Sequence, residues 1–149
     1  SLLTETPMVL GVDGHSKMSK SLDNHIELTS SSEDTSARVM TMVTDPQRAR
    51  KSDPGRPEIC NVFAMQKIFA PGKIDGIHQL CTAAEIGCVE DKRDLAEAIN
   101  AYLQDFRERR SAIAKTPSYV REVLDVGAQR AREIASATIT EVYERMGLR

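Results

Sequence analysis

The residues with the clearest chemical potential lie in a short loop near the start of the chain. Lys17 and Lys20 are three residues apart, and serine hydroxyls stand beside them. Each ammonium offers three donors and a full positive charge, so two of them at this spacing can surround a polyphosphate. Such a loop stabilises charge that develops on a phosphate as its bond breaks. By charge alone, the segment also fits a plain flexible cationic loop.

A second group of reactive side chains comes from the three cysteines of the chain. Cys60, Cys81 and Cys88 have the spacing C-x20-C-x6-C, and the next x2 step reaches Asp91. An odd number of cysteines without a secretion signal favours reduced thiols in the cytoplasm. Three thiols and a carboxylate are a candidate metal site, whereas structural zinc is disfavoured because no histidine has the usual spacing. The alternative, which we favour, is thiols packed as small apolar groups between helices.

Basic residues are concentrated in two segments, although the net charge of the chain is −2. Residues 38–56 hold five basic and two acidic side chains, and residues 107–132 hold seven basic and three acidic ones. This distribution excludes a uniformly basic nucleic-acid binder but allows polyanion contacts at two places. The alternative is that these charges lie on solvated helix faces. The candidates for phosphate contact are Arg48, Arg50, Lys51, Arg107 and Arg110.

Helices must position most of these residues. The evidence for strands is thin, since aromatic residues are only 4% of the chain and only 8–10 form a short apolar run before Gly11. Helical spacing of apolar residues begins after residue 30, where Ser30 and Glu33 have capping-box spacing. The pattern predicts an all-α fold, a bundle of about six helices with short connections, preceded by a short strand and loop segment.

The helix boundaries follow from caps and breakers. The first helix should end before Pro46, and an exposed loop should cover 44–57. We expect Asp75 to cap a helix, the longest helix to cover 91–114, a short helix to end at Gly127, and a last helix to cover 128–146. Tyr102, Phe106 and Tyr119 are candidates for base stacking, but a core position is favoured for each.

The sequence of the cationic loop resembles a known signature. Residues 17–21 read KMSKS, which resembles the second signature of class I aminoacyl-tRNA synthetases. LTETP at 3–7, GVDG at 11–14, TDPQR at 44–48, DPGRP at 53–57 and GAQRA at 127–131 are similar, in this order, to bacterial tryptophanyl-tRNA synthetases. The resemblance covers essentially the whole chain. The HIGH-type motif, which this family places before KMSKS, has no match here.

The resemblance implies that the chain corresponds to the C-terminal portion of a tryptophan–tRNA ligase. Residues 1–29 would form the KMSKS loop and the end of a Rossmann-type catalytic domain, and 30–149 the helical anticodon-binding domain. The segment 17–21 would be the ATP-binding segment, with Lys17 and Lys20 as the catalytic contacts to ATP phosphates. Met18 would hold the loop by its backbone and packing, and Ser19 and Ser21 would form hydrogen bonds within it.

The family also implies the partners. They are tRNA(Trp), together with ATP, its Mg²⁺ and tryptophan, which would bind through the half that precedes this chain. The parent would be a cytoplasmic homodimer, and the isolated chain would be inactive. No membrane contact is expected, because no apolar run approaches the roughly 20 residues of a bilayer span. The alternatives are a fragment of the sister tyrosyl-tRNA synthetases and a non-catalytic helical RNA-binding module.

The resemblance bears on the cysteines as well. Some members of the family bind a [4Fe–4S] cluster through four cysteines with this kind of spacing. Here Asp91 stands at the fourth position, and a carboxylate is a harder ligand than a thiolate. Packed thiols at Cys60, Cys81 and Cys88 are therefore favoured over a cluster, and an iron–sulfur module with a regulatory role is the remaining alternative.

Overall fold

The structure is a computed structural model that describes residues 8–148. It has five α-helices, which are α1 (Ser32–Met40), α2 (Asn61–Phe69), α3 (Ile74–Thr82), α4 (Cys88–Ala114) and α5 (Pro117–Arg145). Short 3-10 turns occur at Lys20–Leu22, Pro57–Ile59 and Pro71–Lys73. No strand occurs in the described part of the chain, where Leu10 and Lys17 form an isolated antiparallel bridge. The prediction of an all-α fold is confirmed.

The chain divides into two compact units, Ser1–Asp105 and Phe106–Arg149, so the division falls inside α4. The loop that carries KMSKS and the first three helices therefore belong to one unit. The functional boundary at residue 29, which the resemblance implied, stays a prediction.

The core of the first unit forms where the short helices meet the first part of α4. Val39 of α1, Val62 of α2 and Leu95 and Ile99 of α4 are at most 1% exposed. Hydrogen bonds fix α4 along α1, because Lys92 Nζ donates to the Met40 carbonyl at 3.0 Å and Asn100 Nδ2 to the Ser32 carbonyl at 3.1 Å. Burial of these apolar side chains supplies most of the driving force for this unit.

Several helix boundaries differ from those that the sequence predicts. The N-cap of α1 is Ser31, whose Oγ accepts from the Asp34 amide at 3.0 Å, and not Ser30. The residue before α3 is Lys73, because the 3-10 turn at Pro71–Lys73 leads directly into the helix and leaves Asp75 in its first turn. The helix expected at Asp91 begins three residues earlier, at Cys88.

The predicted sixth helix is wrong, since α5 is continuous through Gly127. A glycine inside a helix costs only about 1 kcal/mol relative to alanine, which the good helix formers on both sides offset. The C-terminus of α5 agrees with the prediction. Gly147 has a φ of +68°, and the Leu148 amide donates to the Tyr143 carbonyl at 2.9 Å, as in a Schellman motif.

Burial of side chains along α4 and α5 differs most from expectation. No residue of α5 is buried, and even the apolar Ile134 is 61% exposed. The preference for core positions is also wrong for the three aromatic residues, since Tyr102 is 70%, Phe106 44% and Tyr119 52% exposed. Their alternative role as stacking groups stays a prediction. Within the described residues, no helix is both long and apolar enough to span a bilayer.

Candidate functional site

The KMSKS residues follow a tight reversal of the chain. The Met18 amide donates to the Val9 carbonyl at 2.9 Å, and the Gly11 amide donates to the Ser16 carbonyl at 2.9 Å. Between these bonds, Gly14 has a φ of +74°, and its amide donates to the Gly11 carbonyl at 3.0 Å. A left-handed backbone is costly for any residue with a Cβ, so the turn needs glycine at position 14.

A buried asparagine fixes the backbone of the KMSKS segment. Asn24 is only 3% exposed, and its Oδ1 accepts from the Ser19 amide at 2.7 Å. Its Nδ2 donates to Asp13 Oδ2 at 2.8 Å and to the Lys17 carbonyl at 3.2 Å. A Cβ at Gly11 would lie 2.3 Å from the Asn24 carboxamide, so glycine is needed for this close approach. The Asn24 side chain thus joins Asp13, which precedes the turn at Gly14, to the backbone of the KMSKS segment.

Asp13, next to Gly14 in the turn, completes this hydrogen-bond network. Its Oδ1 accepts from the amides of His15 at 3.2 Å and Ser16 at 3.1 Å. The hydrogen bond from Asn24, more than any other contact, holds the pKa of Asp13 below its ordinary value. The carboxylate is therefore ionised at neutral pH and remains an acceptor for all three donors.

The loop is anchored on the helical core. Asn61 Nδ2, at the start of α2, donates to the Gly11 carbonyl at 2.7 Å, and the Val43 amide donates to the Val12 carbonyl at 2.9 Å. Val12 belongs to the core, and the half-buried Met18 packs against it. The position of KMSKS is therefore set by the same residues that hold the helices together.

The charged groups of this segment point outward. Lys17 and Lys20 are exposed, whereas Ser19 is half-buried. Ser19 Oγ accepts from the Ser21 amide at 3.2 Å and caps the 3-10 turn at Lys20–Leu22. The arrangement is a fixed backbone with two cationic side chains that solvent can reach, which is suited to contact with a multiply charged anion.

The second cationic segment, residues 44–57, is called the basic loop below. An ion pair joins its two ends, because Arg56 Nη2 lies 2.5 Å from Asp45 Oδ1 and Arg56 Nε donates to Oδ2 at 2.9 Å. Asp45 is 5% exposed. The Arg56 guanidinium holds the pKa of Asp45 well below its usual range, although burial acts in the opposite direction.

Arg48 organises the interior of the basic loop. Its Nε donates to the Asp53 carbonyl at 2.8 Å, and its Nη2 donates to the carbonyls of Lys51 at 2.9 Å and Ile86 at 2.8 Å. The third nitrogen, Nη1, faces two cysteine sulfurs. An RNA contact by Arg48 stays a prediction, but these interactions already occupy much of its guanidinium.

The other cationic candidates lie at two separate places. Arg50 and Lys51 are exposed in the basic loop, where Lys51 Nζ is 3.8 Å from Glu90 Oε2. Arg107 is half-buried and Arg110 exposed, and both lie in the part of α4 that belongs to the second compact unit. Contact of these four residues with RNA stays a prediction.

The three cysteines and Asp91 lie close enough for their charges to affect one another. Cys60 and Cys81 are buried, and burial raises the pKa of both thiols. Burial also raises the pKa of Asp91, while a hydrogen bond of 2.6 Å from Gln66 Nε2 to its Oδ1 acts in the opposite direction. The environment therefore disfavours the ionised forms that metal ligands require.

This donor set does not fit an iron–sulfur cluster. Arg48 Nη1 donates to Cys81 Sγ at 3.8 Å and to Cys88 Sγ at 3.7 Å, so a cation already lies against two of the sulfurs. Gln66 holds the carboxylate at the fourth position. Residues 8–148 contain no group of three or more histidine, cysteine, aspartate or glutamate side chains arranged to hold a metal ion. The suggestion of a [4Fe–4S] cluster therefore has no support.

Sequence reasoning missed the residues that fix both loops. The structural roles of Asn24, Asn61 and Arg56 depend on contacts with residues 5 to 50 positions away in the chain. No local pattern marks such contacts. The two glycines before KMSKS were the available signal, but they could not show which side chain lies inside the loop.

Comparison with known proteins places the chain in a family. The model for class I tRNA synthetases of the tryptophan and tyrosine type matches residues 1–104. Tryptophan–tRNA ligases of Aquifex aeolicus and Treponema pallidum are 43% and 39% identical to the chain, over 99% of its length in each case. The crystal structure of tryptophanyl-tRNA synthetase from Campylobacter jejuni, complexed with ADP and tryptophan, matches 99% of the chain with a TM-score of 0.86 and 32% identity.

The chain belongs to the class I tRNA synthetases of the tryptophan and tyrosine type. Within this family, the relatives described above are tryptophan–tRNA ligases. The chain spans 38% and 44% of the length of the two bacterial ligases and 46% of the solved Campylobacter chain.

The ion pair at the ends of the basic loop predicts a pH-dependent stability. We expect Asp45→Asn to lower the melting temperature at pH 7, because the substitution removes the carboxylate that faces Arg56. The folded-state pKa of Asp45 is depressed, so this stabilisation is fully present above its unfolded pKa of about 3.9 and is lost progressively as the pH falls from there toward the lower folded-state pKa. Thermal melts between pH 7 and pH 3 would measure it.

The matched control is Asp75→Asn, which removes an exposed carboxylate in the first turn of α3. Its melting temperature should stay near that of the wild type at pH 7. If the difference in melting temperature between Asp45→Asn and the wild type stayed constant from pH 7 to pH 3, the Asp45–Arg56 ion pair would not be the source of the stabilisation.

Proposed function

We propose that this chain supplies the KMSKS loop and the tRNA anticodon-recognition module of an ATP-dependent ligase that charges tRNA(Trp) with tryptophan. The observation that carries the proposal is the pair of exposed ammonium groups, Lys17 and Lys20, on a backbone that the buried Asn24 fixes. Family membership and the tryptophan–tRNA ligases among the relatives support it. We propose a cytoplasmic homodimer as the form of the whole enzyme.

In the first step of the proposed reaction, the tryptophan carboxylate attacks the α-phosphate of ATP, and pyrophosphate leaves. Negative charge grows on the leaving phosphates as the bond breaks. Lys17 and Lys20 would stabilise that charge together with the Mg²⁺ that accompanies ATP. Because Asn24 holds the backbone at Lys17 and Ser19, little reorganisation of this segment would be needed at the moment of reaction.

In the second step, a hydroxyl at the 3′ end of the tRNA attacks the carbonyl of the adenylate, and AMP leaves. Recognition of the tRNA requires phosphate contacts for affinity and contacts with unstacked bases for specificity. We assign phosphate contacts to Arg50 and Lys51 in the basic loop and to Arg107 and Arg110 in α4. The exposed rings of Phe106 and Tyr119 are the stacking candidates in the second compact unit.

Tryptophan is favoured over tyrosine as the amino acid. The family model covers both types, but the relatives at 39–43% identity are tryptophan–tRNA ligases. A non-catalytic RNA-binding module is the second candidate function, and the exposed basic side chains of the basic loop favour it. The two candidates differ in whether KMSKS contributes to adenylate formation.

Exchange kinetics test the role of the two lysines. A chimera in which this chain replaces the matching part of the Aquifex aeolicus ligase should catalyse tryptophan-dependent ATP–pyrophosphate exchange. Lys20→Ala in the chimera should lower the exchange rate by about 10²–10³-fold, as loss of a transition-state donor does elsewhere. Lys17→Ala should also lower the rate. The isolated chain should show no exchange.

Lys73→Ala is the matched control, because Lys73 is an exposed lysine outside the loop. Its exchange rate should equal that of the unmodified chimera. If the folded Lys20→Ala chimera exchanged at the full rate, the catalytic assignment would be wrong and the non-catalytic module would be favoured.

Salt-dependent binding tests the RNA contacts. Arg50→Ala should weaken binding of the isolated chain to a tRNA(Trp) transcript, since it removes one exposed cation. The slope of log K against log salt should fall by about 1 for each phosphate interaction that the substitution removes. Fluorescence anisotropy of a labelled transcript between roughly 50 and 200 mM salt, where such interactions are resolved, would measure both effects.

Lys73→Ala again provides the control, with affinity and slope unchanged. Arg48→Ala is unsuitable for this test, because its contacts with the carbonyls of Lys51 and Asp53 shape the loop itself. An unchanged slope for Arg50→Ala would remove Arg50 from the proposed interface.

A further inference from the structure

The sulfurs of Cys81 and Cys88 both accept a hydrogen bond from one nitrogen of Arg48. Nη1 donates to Cys81 Sγ at 3.8 Å and to Cys88 Sγ at 3.7 Å. Cys81 lies in the last turn of α3, and Cys88 is the first residue of α4. The two sulfurs are therefore neighbours across a single guanidinium nitrogen.

The backbone between the two cysteines is a tight reversal. Ala84 has a φ of +59°, and the amides of Glu85 and Ile86 both donate to the Leu80 carbonyl, at 2.8 and 3.3 Å. This reversal brings the end of α3 and the start of α4 together. Because the connection is so short, the Cys81 and Cys88 side chains remain close whenever the two helices are folded.

A second residue of the basic loop, Gly55, also contacts Cys81. The Gly55 amide donates to the Cys81 carbonyl at 3.0 Å, and a Cβ at Gly55 would lie 2.4 Å from Cys81 Sγ. The Cys81 sulfur therefore packs closely against the basic loop beside Arg48. Cys81 is 8% exposed, whereas Cys88 is half-buried, so a small solute reaches Cys88 first.

We propose that Cys81 and Cys88 are an oxidisable thiol pair that forms an intrachain disulfide when the protein meets a peroxide. In the first step, the Cys88 sulfur attacks one oxygen of hydrogen peroxide and the O–O bond breaks, which gives a sulfenic acid and water. In the second step, the Cys81 sulfur attacks the Cys88 sulfur, the S–O bond breaks and a second water leaves. Two thiols are oxidised by two electrons, and one peroxide is reduced.

Disulfide formation changes the basic loop. Joining two free thiols at about 2 Å moves at least one sulfur from the position in which it now accepts from Nη1. Loss of that contact loosens the Arg48 guanidinium and weakens its hydrogen bonds to the carbonyls of Asp53 and Lys51. The Asp45–Arg56 ion pair keeps the ends of the loop in place, so the change is confined to its middle. Formation of this disulfide does not depend on the proposed ligase activity, although it alters the loop that carries Arg50 and Lys51.

Cys60 is the competing thiol. It is buried in the hydrophobic core at the start of α2, 8% exposed, and Arg48 makes no hydrogen bond to it within the described residues. We therefore expect the disulfide to join Cys81 to Cys88 and to leave Cys60 as a free thiol.

The experiment treats the reduced wild-type chain with one equivalent of hydrogen peroxide and then alkylates the remaining thiols under denaturing conditions. Peptide mapping by mass spectrometry should find a Cys81–Cys88 disulfide, with Cys60 alkylated, and dithiothreitol should reverse it. Limited digestion with trypsin should cut after Arg50 and Lys51 several-fold faster in the oxidised chain, because the middle of the loop is loosened.

Two variants complete the test. Cys60→Ser should still form the Cys81–Cys88 disulfide, whereas Cys81→Ser should leave Cys88 as a sulfenic or sulfinic acid without a cross-link. A disulfide that contains Cys60, or three alkylated thiols after peroxide treatment of the folded wild type, would overturn the proposal. A disulfide with no change in the trypsin rate would overturn the coupling to the loop.

Discussion

The buried carboxamide of Asn24 is the interaction on which the cationic loop depends. A polar group that is 3% exposed must satisfy its hydrogen bonds within the protein, since an unsatisfied one costs about 1–3 kcal/mol. Asn24 satisfies them only when Asp13, the Lys17 carbonyl and the Ser19 amide are all in place. The segment therefore has one preferred backbone shape, and its two lysine side chains project from a defined position.

The basic loop follows the same principle with charged groups. Asp45 and Arg56 close its ends, and Arg48 fills its interior by donating to carbonyls of the loop and of the segment just before α4. Arg50 and Lys51 are then presented at the surface. In both loops, inward polar side chains set the backbone, and outward cations are left for contact with phosphate-containing partners.

The sequence predicts what depends on neighbours along the chain. The all-α class, the end of α4 at Ala114 and the cap at Gly147 follow from local periodicity and from glycine and proline signals. Continuity of α5 through Gly127 could not be predicted, because the cost of one glycine is small and the helix formers on both sides of it decide whether the helix continues. KMSKS was recognisable from five adjacent letters. The roles of Asn24 and Arg48 were not, because their partners come together only after folding.

The most direct test of this account is amide hydrogen exchange at Ser19, measured by NMR in the wild type and in Asn24→Ala. We expect the Ser19 amide to be protected in the wild type, because it donates to Asn24 Oδ1 at 2.7 Å. The variant should lose that protection, while the amides around the buried Leu95 and Ile99 keep theirs. Equal exchange at Ser19 in both proteins would contradict the claim that Asn24 fixes the loop.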